Sequence, residues 1–223
     1  MIKLVAFDWN GTLLSDTICC WEGANVQLKF CDCKPMSLLR FRETFEVPVV
    51  NSLVANGADR EFCQKNKVAV AEAFHTFYEK RAATARTRAG TRDVLKWLHQ
   101  RKIFSMIYSN HTSSGIESQL NRLKIKHFMD KVLANPAVEG SLHRKKTKGQ
   151  KLAEYIKGKK LKPLEVISVG DTKEEIEIGK HFGYHTVGIT GGYNTTKDLK
   201  KVHPDFLIHN MKDLIPIIKK LNK

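Results

Sequence analysis

Five short apolar runs, each closed by a polar or glycine residue, constrain this chain more than any other feature. Residues 2–7 (IKLVAF) end at Asp8, residues 103–108 (IFSMIY) at Ser109-Asn110, and residues 166–169 (VISV) at Gly170-Asp171. Residues 185–189 (HTVGI) lead to Gly191-Gly192, and residues 206–208 (FLI) to His209-Asn210. Runs this rich in aliphatic residues leave no face for water, which is the pattern of parallel strands covered on both sides. Helical spacing of apolar residues fills the intervals: 92–100, where Val94, Leu95 and Leu98 share a face, then 114–123, about 148–157, and 211–221. The expected architecture is an α/β fold with a doubly wound parallel sheet.

The stretch 18–83 interrupts that alternation after the first strand. It carries helical pattern and no convincing strand, so it reads as an inserted helical cap on a core made of residues 1–17 and 84–223. All five cysteines (Cys19, Cys20, Cys31, Cys33, Cys63) lie in this insertion. Their odd number argues against a disulfide framework, and Cys31-Asp32-Cys33 is spaced too tightly for an ordinary zinc loop, which leaves reduced, packed thiols. No run approaches the ~18 apolar residues of a membrane helix, and the first residues lack a signal peptide's order, so a soluble, cytoplasmic protein is expected.

Charge narrows the partners. The chain carries 38 Lys and Arg against 23 Asp and Glu, a formal +15. The excess is concentrated: residues 84–160 hold 18 basic and 5 acidic side chains, whereas residues 18–83 are nearly balanced. Such a surface reads either as a solvated basic face or as one that steers a phosphorylated substrate. Nucleic acid is the less favoured partner, because the aromatics are not interleaved with the basic clusters as stacking platforms would be.

In open α/β sheets ligands bind at the carboxyl ends of the strands, where Asp8, Ser109 and Asp171 are expected to converge. Taken with Phe7-Asp8-Trp9-Asn10-Gly11-Thr12-Leu13-Leu14, Tyr108-Ser109-Asn110, the basic cluster before Lys148 and Val169-Gly170-Asp171-Thr172-Lys173-Glu174-Glu175, the chain resembles the haloacid dehalogenase superfamily over nearly its whole length. Its phosphoglycolate-phosphatase-like branch, with a helical cap after the first motif, is the most similar. The resemblance implies a Mg2+-dependent phosphomonoester hydrolase acting on a small phosphorylated metabolite. Asp8 would be the nucleophile, forming an aspartyl-phosphate. Asp8, the Asn10 carbonyl and Asp171 would hold magnesium, with Glu175 as a further ligand or support. Ser109, the Asn110 amide and a lysine would bind the phosphoryl oxygens. For that lysine the family pattern favours Lys145, then Lys146, then Lys148, because Thr147-Lys148-Gly149-Gln150 reads as a capping box opening the next helix.

Asn10 departs from the family pattern, which places an acid/base aspartate there. An amide orients water but shuttles no proton near neutrality. Three readings follow: a slow phosphatase or one restricted to good leaving groups, a proton carrier elsewhere (Asp16 or the cap), or a phospholigand-binding regulatory protein. A phosphonoacetaldehyde-hydrolase-like enzyme is a further alternative, since Pro35-Met36-Ser37-Leu38-Leu39-Arg40 is loosely similar to that cap motif. Arg40, however, stands where the imine-forming lysine would be, and a guanidinium forms no imine.

Overall fold

The computed structural model describes residues 1–136 and 147–223. One parallel sheet of six strands organises the larger domain: β1 (Leu4–Phe7), β2 (Phe104–Thr112), β3 (Lys131–Asn135), β4 (Val166–Gly170), β5 (His185–Ile189) and β6 (Phe206–Ile208), in the order β3-β2-β1-β4-β5-β6. The order reverses at β1, the crevice where open α/β sheets bind ligands. Side chains alternate across β1: Val5 and Phe7 join a core with Val94, Leu95, Leu98, Ile116 and Leu214, while Leu4 and Ala6 join a second with Met106, Leu152 and Ile156.

The flanking helices of this domain are α6 (Thr91–Gln100), α7 (Ser113–Arg122), α8 (Lys148–Gly158), α9 (Lys173–His181), α10 (Thr196–Lys201) and α11 (Leu214–Leu221). Five helices precede them between β1 and β2: α1 (Thr17–Phe30), α2 (Leu38–Thr44), α3 (Val49–Ala55), α4 (Arg60–Lys65) and α5 (Lys67–Ala82). They enclose a separate apolar cluster that includes Leu28, Phe41, Leu53, Val70 and Tyr78 and takes in Tyr193 from the sheet domain. All five thiols are free, with Cys31 and Cys63 Sγ atoms 3.8 Å apart. No helix among the described residues is long and apolar enough to cross a membrane.

The α/β architecture with a helical insertion is as the sequence implied, and three details differ. The edge strand β3 was not anticipated, because Lys131-Val132-Leu133-Ala134-Asn135 is too polar to stand out as a buried run, and most of it is only half-buried. β2 runs on to Thr112 through an irregularity in its pairing with β3, so Ser109 and Asn110 lie within the strand rather than beyond its end. Helices α9 and α10 were also not singled out, the apolar residues of α9 being confined to Ile176 and Ile178 and that of α10 to Leu199.

Candidate active site

Asp8 follows β1 directly, and its amide donates to the Val169 carbonyl at 2.9 Å, fixing the turn against β4. Its carboxylate is buried at the sheet's switch point. Gly11 then bends the chain at φ +73, a left-handed conformation that also brings its Cα against the Asp171 carboxylate, where any Cβ would collide. Asp171, after β4, accepts the Thr12 hydroxyl at 2.6 Å and the Tyr193 amide at 2.7 Å. Thus the first and fourth motifs are bound to one another.

Lys148 completes the centre. Thr147 caps α8 through a capping box with Gln150, which makes Lys148 the first residue of the helix. A side chain at that position points back toward the helix N-terminus, here onto the sheet's carboxyl edge. Lys148 Nζ lies 3.2 Å from Asp8 Oδ1 and 2.9 Å from Glu174 Oε2, and it donates to Glu175 Oε1. Lys148 is therefore the lysine seen at Asp8, although it ranked last in the sequence reading; Lys145 and Lys146 lie outside the described residues. The other oxygen of Glu175 accepts both the Thr172 amide and its hydroxyl, so this carboxylate closes the α9 cap and holds Lys148 at once. Asn110 donates to Glu174 at 3.0 Å and accepts from Asn135 through its carbonyl. The buried Ser109 hydroxyl accepts the His111 amide at 3.2 Å.

Three carboxylates, Asp8, Glu174 and Glu175, thus face one ammonium, and a fourth, Asp171, adds its charge beside Asp8. Burial alone would push Lys148 down, but Asp8, Glu174 and Glu175 outweigh it and hold the ammonium above the ordinary lysine range. The acids respond oppositely. Burial raises Asp8 well above its usual value despite Lys148, and burial followed by Glu175 pushes Asp171 up to about 7. Arg88 does not offset the excess by contact, because its guanidinium is bound to the carbonyls of Gly11 and Thr190. A buried, all-oxygen donor set with uncompensated negative charge is what a hard divalent cation relieves, so the residues present fit magnesium.

Asn10 is tied into a second network. Its Nδ2 donates to Asp16 Oδ2 at 2.8 Å and to the Tyr78 hydroxyl at 2.7 Å. Asp16 also accepts the Gly11 amide, the Tyr78 hydroxyl at 2.6 Å and the Tyr193 hydroxyl at 2.8 Å. Position 10 is therefore built for a donor. Sequence reasoning named Asp16 but missed Tyr78 and Tyr193; nothing in their local sequence marks them, since their meaning comes from the contact of α5 with the sheet domain. Glu174 was missed as a lysine partner although it sits in the recognised fourth motif. Trp9 is fully buried and donates its indole N–H to Gln119, a core position. The Arg40 guanidinium is bound within the insertion to Asn56 and Ala55 and does not line the site.

A cavity of about 650 Å³ lies over this centre, lined from below by Asp8, Asn10, Ser109, Asn110 and Lys148. Its upper walls are apolar, with Phe41, Phe45, Val50, Leu53, Val70 and Phe74 from the insertion. Arg42 of α2 donates to the Gly192 carbonyl at 3.0 Å and Asn194 donates to the Phe45 carbonyl at 3.0 Å, joining the insertion to the turn after β5.

Known proteins share this fold. Residues 5–189 match the family model described as haloacid dehalogenase-like hydrolase. The phosphoglycolate phosphatases of Pseudomonas fluorescens Pf-5 and Vibrio vulnificus YJ016 are both 24% identical, over 96% and 97% of this chain and 79% and 96% of their own lengths. Among solved structures, a haloacid dehalogenase-like family hydrolase of Streptococcus pneumoniae superposes with a TM-score of 0.76 at 19% identity, covering 97% of this chain and 98% of that one. A predicted phosphatase of Clostridium acetobutylicum gives 0.82 at 15% identity and 99% coverage of both chains. With more than half of its length matched by the family model, and with the first, second and fourth motifs and Lys148 meeting at one strand edge, the chain belongs to the haloacid dehalogenase-like hydrolases.

Proposed function

We propose that the protein is a phosphomonoesterase that uses Asp8 as its nucleophile. The observation that carries this reading is the buried Asp8 carboxylate, held through Oδ1 by Lys148 while Oδ2 makes no hydrogen bond among the described residues. That oxygen would attack phosphorus, forming an aspartyl-phosphate as the bond to the leaving alkoxide breaks. Water would then attack phosphorus, break the bond to Asp8 and release inorganic phosphate. Ser109, Asn110 and Lys148 would hold the equatorial oxygens. Asp8, the Asn10 carbonyl and Asp171 would hold Mg2+, with Glu175 supporting; when bound it supplies positive charge that lets the anionic phosphate approach a carboxylate.

Two refinements follow from this chain's own residues. A side-chain amide at position 10 moves no proton, and losing general acid–base assistance costs about 10²–10⁴ in rate, so turnover is slow for poor leaving groups. The walls above Asp8 are mostly apolar, and among the described lining residues the cations are Lys148 and Lys67. A carboxylate-bearing two-carbon body such as that of phosphoglycolate uses little of this space, whereas an aromatic or branched body buries apolar area worth ~25 cal/mol per Å². The preferred substrate is accordingly a phosphate ester with an apolar body. Asn10 also favours a second reading, a phospholigand-binding protein that retains the site without turnover.

Phosphate release from a panel containing phosphoglycolate, 1-naphthyl phosphate and p-nitrophenyl phosphate, with and without Mg2+ and with Asp8→Asn as blank, tests both. Mg2+-dependent release lost in Asp8→Asn supports the phosphatase. Silence across the panel, with vanadate still bound, moves the assignment to the binding protein.

A further inference from the structure

We propose that His75, Glu79 and His111 form a second metal site, for a borderline divalent ion such as Zn2+, bridging the helical insertion to the sheet domain at the edge of the substrate cavity. His75 and Glu79 are four residues apart on α5 and so share one face of that helix. His111 comes from the end of β2, two residues beyond Ser109. Their donor atoms all lie within 4.8 Å of one another. Glu79 Oε1 stands 3.3 Å from His111 Nε2 and 3.9 Å from His75 Nδ1. A tetrahedral ion with bonds of about 2.0–2.2 Å holds neighbouring donors roughly 3.3–3.6 Å apart, so the Glu79–His111 pair is already at that separation and the two pairs that include His75 close by a side-chain movement.

An ordinary ion pair accounts poorly for this cluster. Both ring nitrogens are shielded from water and make no hydrogen bond among the described residues, and the His111 side chain is only 6% exposed. Buried imidazole nitrogens without partners cost free energy, and two of them converge on one carboxylate oxygen. Burial lowers His111 from its usual value despite Glu79, which keeps a neutral ring with a lone pair to donate. Gly115, in the first turn of α7, leaves that nitrogen's flank open; a Cβ there would stand 2.7 Å from Nε2.

The donor set also separates this site from the centre around Asp8. Two imidazoles and a carboxylate suit zinc or neighbouring transition ions, whereas the all-oxygen centre suits magnesium. Glu79 is 42% exposed and gives the ion a way in. Three protein ligands leave a fourth position free, and both histidines line the cavity. An occupied site would fasten α5 to the strand that carries Ser109.

The test counts metal and is independent of turnover. Full-length protein, stripped with chelator and then kept in excess Mg2+, is titrated with Co2+, following ligand-field absorption and bound equivalents by elemental analysis. His75→Ala and Glu79→Ala truncate half-buried side chains of α5 that lie outside the apolar clusters; His111→Gln and Gly115→Ala probe the buried side, and a Cys31→Ser/Cys63→Ser variant controls for thiol binding. The expected result is one equivalent fewer, or apparent affinity weakened at least about tenfold, in His75→Ala and Glu79→Ala, with no change in the cysteine variant. A count and affinity unchanged in both α5 variants, or lost only with the thiols, overturns the proposal.

Discussion

Replacing Asn10 by aspartate looks, from the family pattern alone, like a restoration of the missing acid/base group. The structure predicts the opposite for the single change. Asn10 Nδ2 lies 2.8 Å from Asp16 Oδ2, so Asn10→Asp sets a second carboxylate oxygen against the first. One hydrogen bond to a charged group is lost, worth about 1.5–3 kcal/mol. Like charges 4 Å apart at an effective dielectric of 20 add up to about 4 kcal/mol, which a shared proton, a small shift and the half-buried setting of position 10 reduce. The expected net cost is about 3 kcal/mol, or a melting temperature ~6–12 °C lower for a protein of this size. Exchanging the pair removes the like-charge conflict: in Asn10→Asp/Asp16→Asn the new amide at 16 donates to the new carboxylate at 10 and its carbonyl still accepts the Gly11 amide, while the Tyr78 and Tyr193 hydroxyls lose Oδ2 as their acceptor. Thermal unfolding of wild type, both single variants and the double variant in EDTA near neutral pH closes the cycle, with a favourable coupling of at least ~1.5 kcal/mol expected. Turnover should follow, the double variant exceeding Asn10→Asp by about tenfold or more because only there is the carboxylate at position 10 both present and oriented. Asn10→Asp melting within ~2 °C of wild type, or strictly additive effects, refutes the reasoning.

Lys148→Met leaves Asp8, Glu174 and Glu175 crowded without an ammonium; it should cost about 3–5 kcal/mol in cation-free buffer and abolish Asp8-dependent phosphate release, and a stable, active variant would contradict the assigned position. Asp171, pushed up to about 7 from an ordinary 3.8, is protonated in the cation-free fold at pH values where the unfolded chain has already ionised. Its contribution is therefore destabilising above about pH 4 and grows until about pH 7, so calorimetry in EDTA should show stability falling across that window, with a shallower fall in Asp171→Asn; an identical profile in the two proteins counts against the shift. Mg2+ should raise the melting temperature more above pH 7 than below it, because only the carboxylate binds the cation. Tyr78→Phe and Tyr193→Phe each remove one donor to Asp16, at about 1–2 kcal/mol, but only Tyr78 also contacts Asn10. Turnover should fall more in Tyr78→Phe, and equal effects in steady-state kinetics would deny Tyr78 a positioning role.

The sheet was legible because four of its six strands are buried on both faces and their sequences say so, while the half-buried edge strand β6 still shows a short unbroken apolar run. β3 escaped because an edge strand needs fewer apolar residues, and its Lys131 is exposed. The centre was legible for a related reason: Asp8, Ser109 and Asp171 are placed by strand ends, and strand ends can be read from hydrophobic runs. Lys148 was ranked low because spacing from a cap motif does not report side-chain direction, whereas the first residue of a helix points back over its N-terminus. Tyr78, Tyr193, His75 and Glu79 were not legible at all. Each acts across the junction of two domains, and helical periodicity on α5 says which face packs without saying onto what.

That junction links the questions of chemistry and access. Asp16 gathers donors from the turn after β1 (Asn10, Gly11), from α5 (Tyr78) and from the turn after β5 (Tyr193). It thus ties the insertion to the two loops that flank the nucleophile. Any movement of α5 that withdraws Tyr78 removes the acceptor of one Asn10 amide bond and half-releases the side chain at position 10. The same movement parts His75 and Glu79 from His111. In this chain an asparagine at position 10 is then more than a lost aspartate. It is the donor that a buried, acceptor-only Asp16 requires, and the family's acid/base group cannot return to position 10 unless the charge at position 16 leaves.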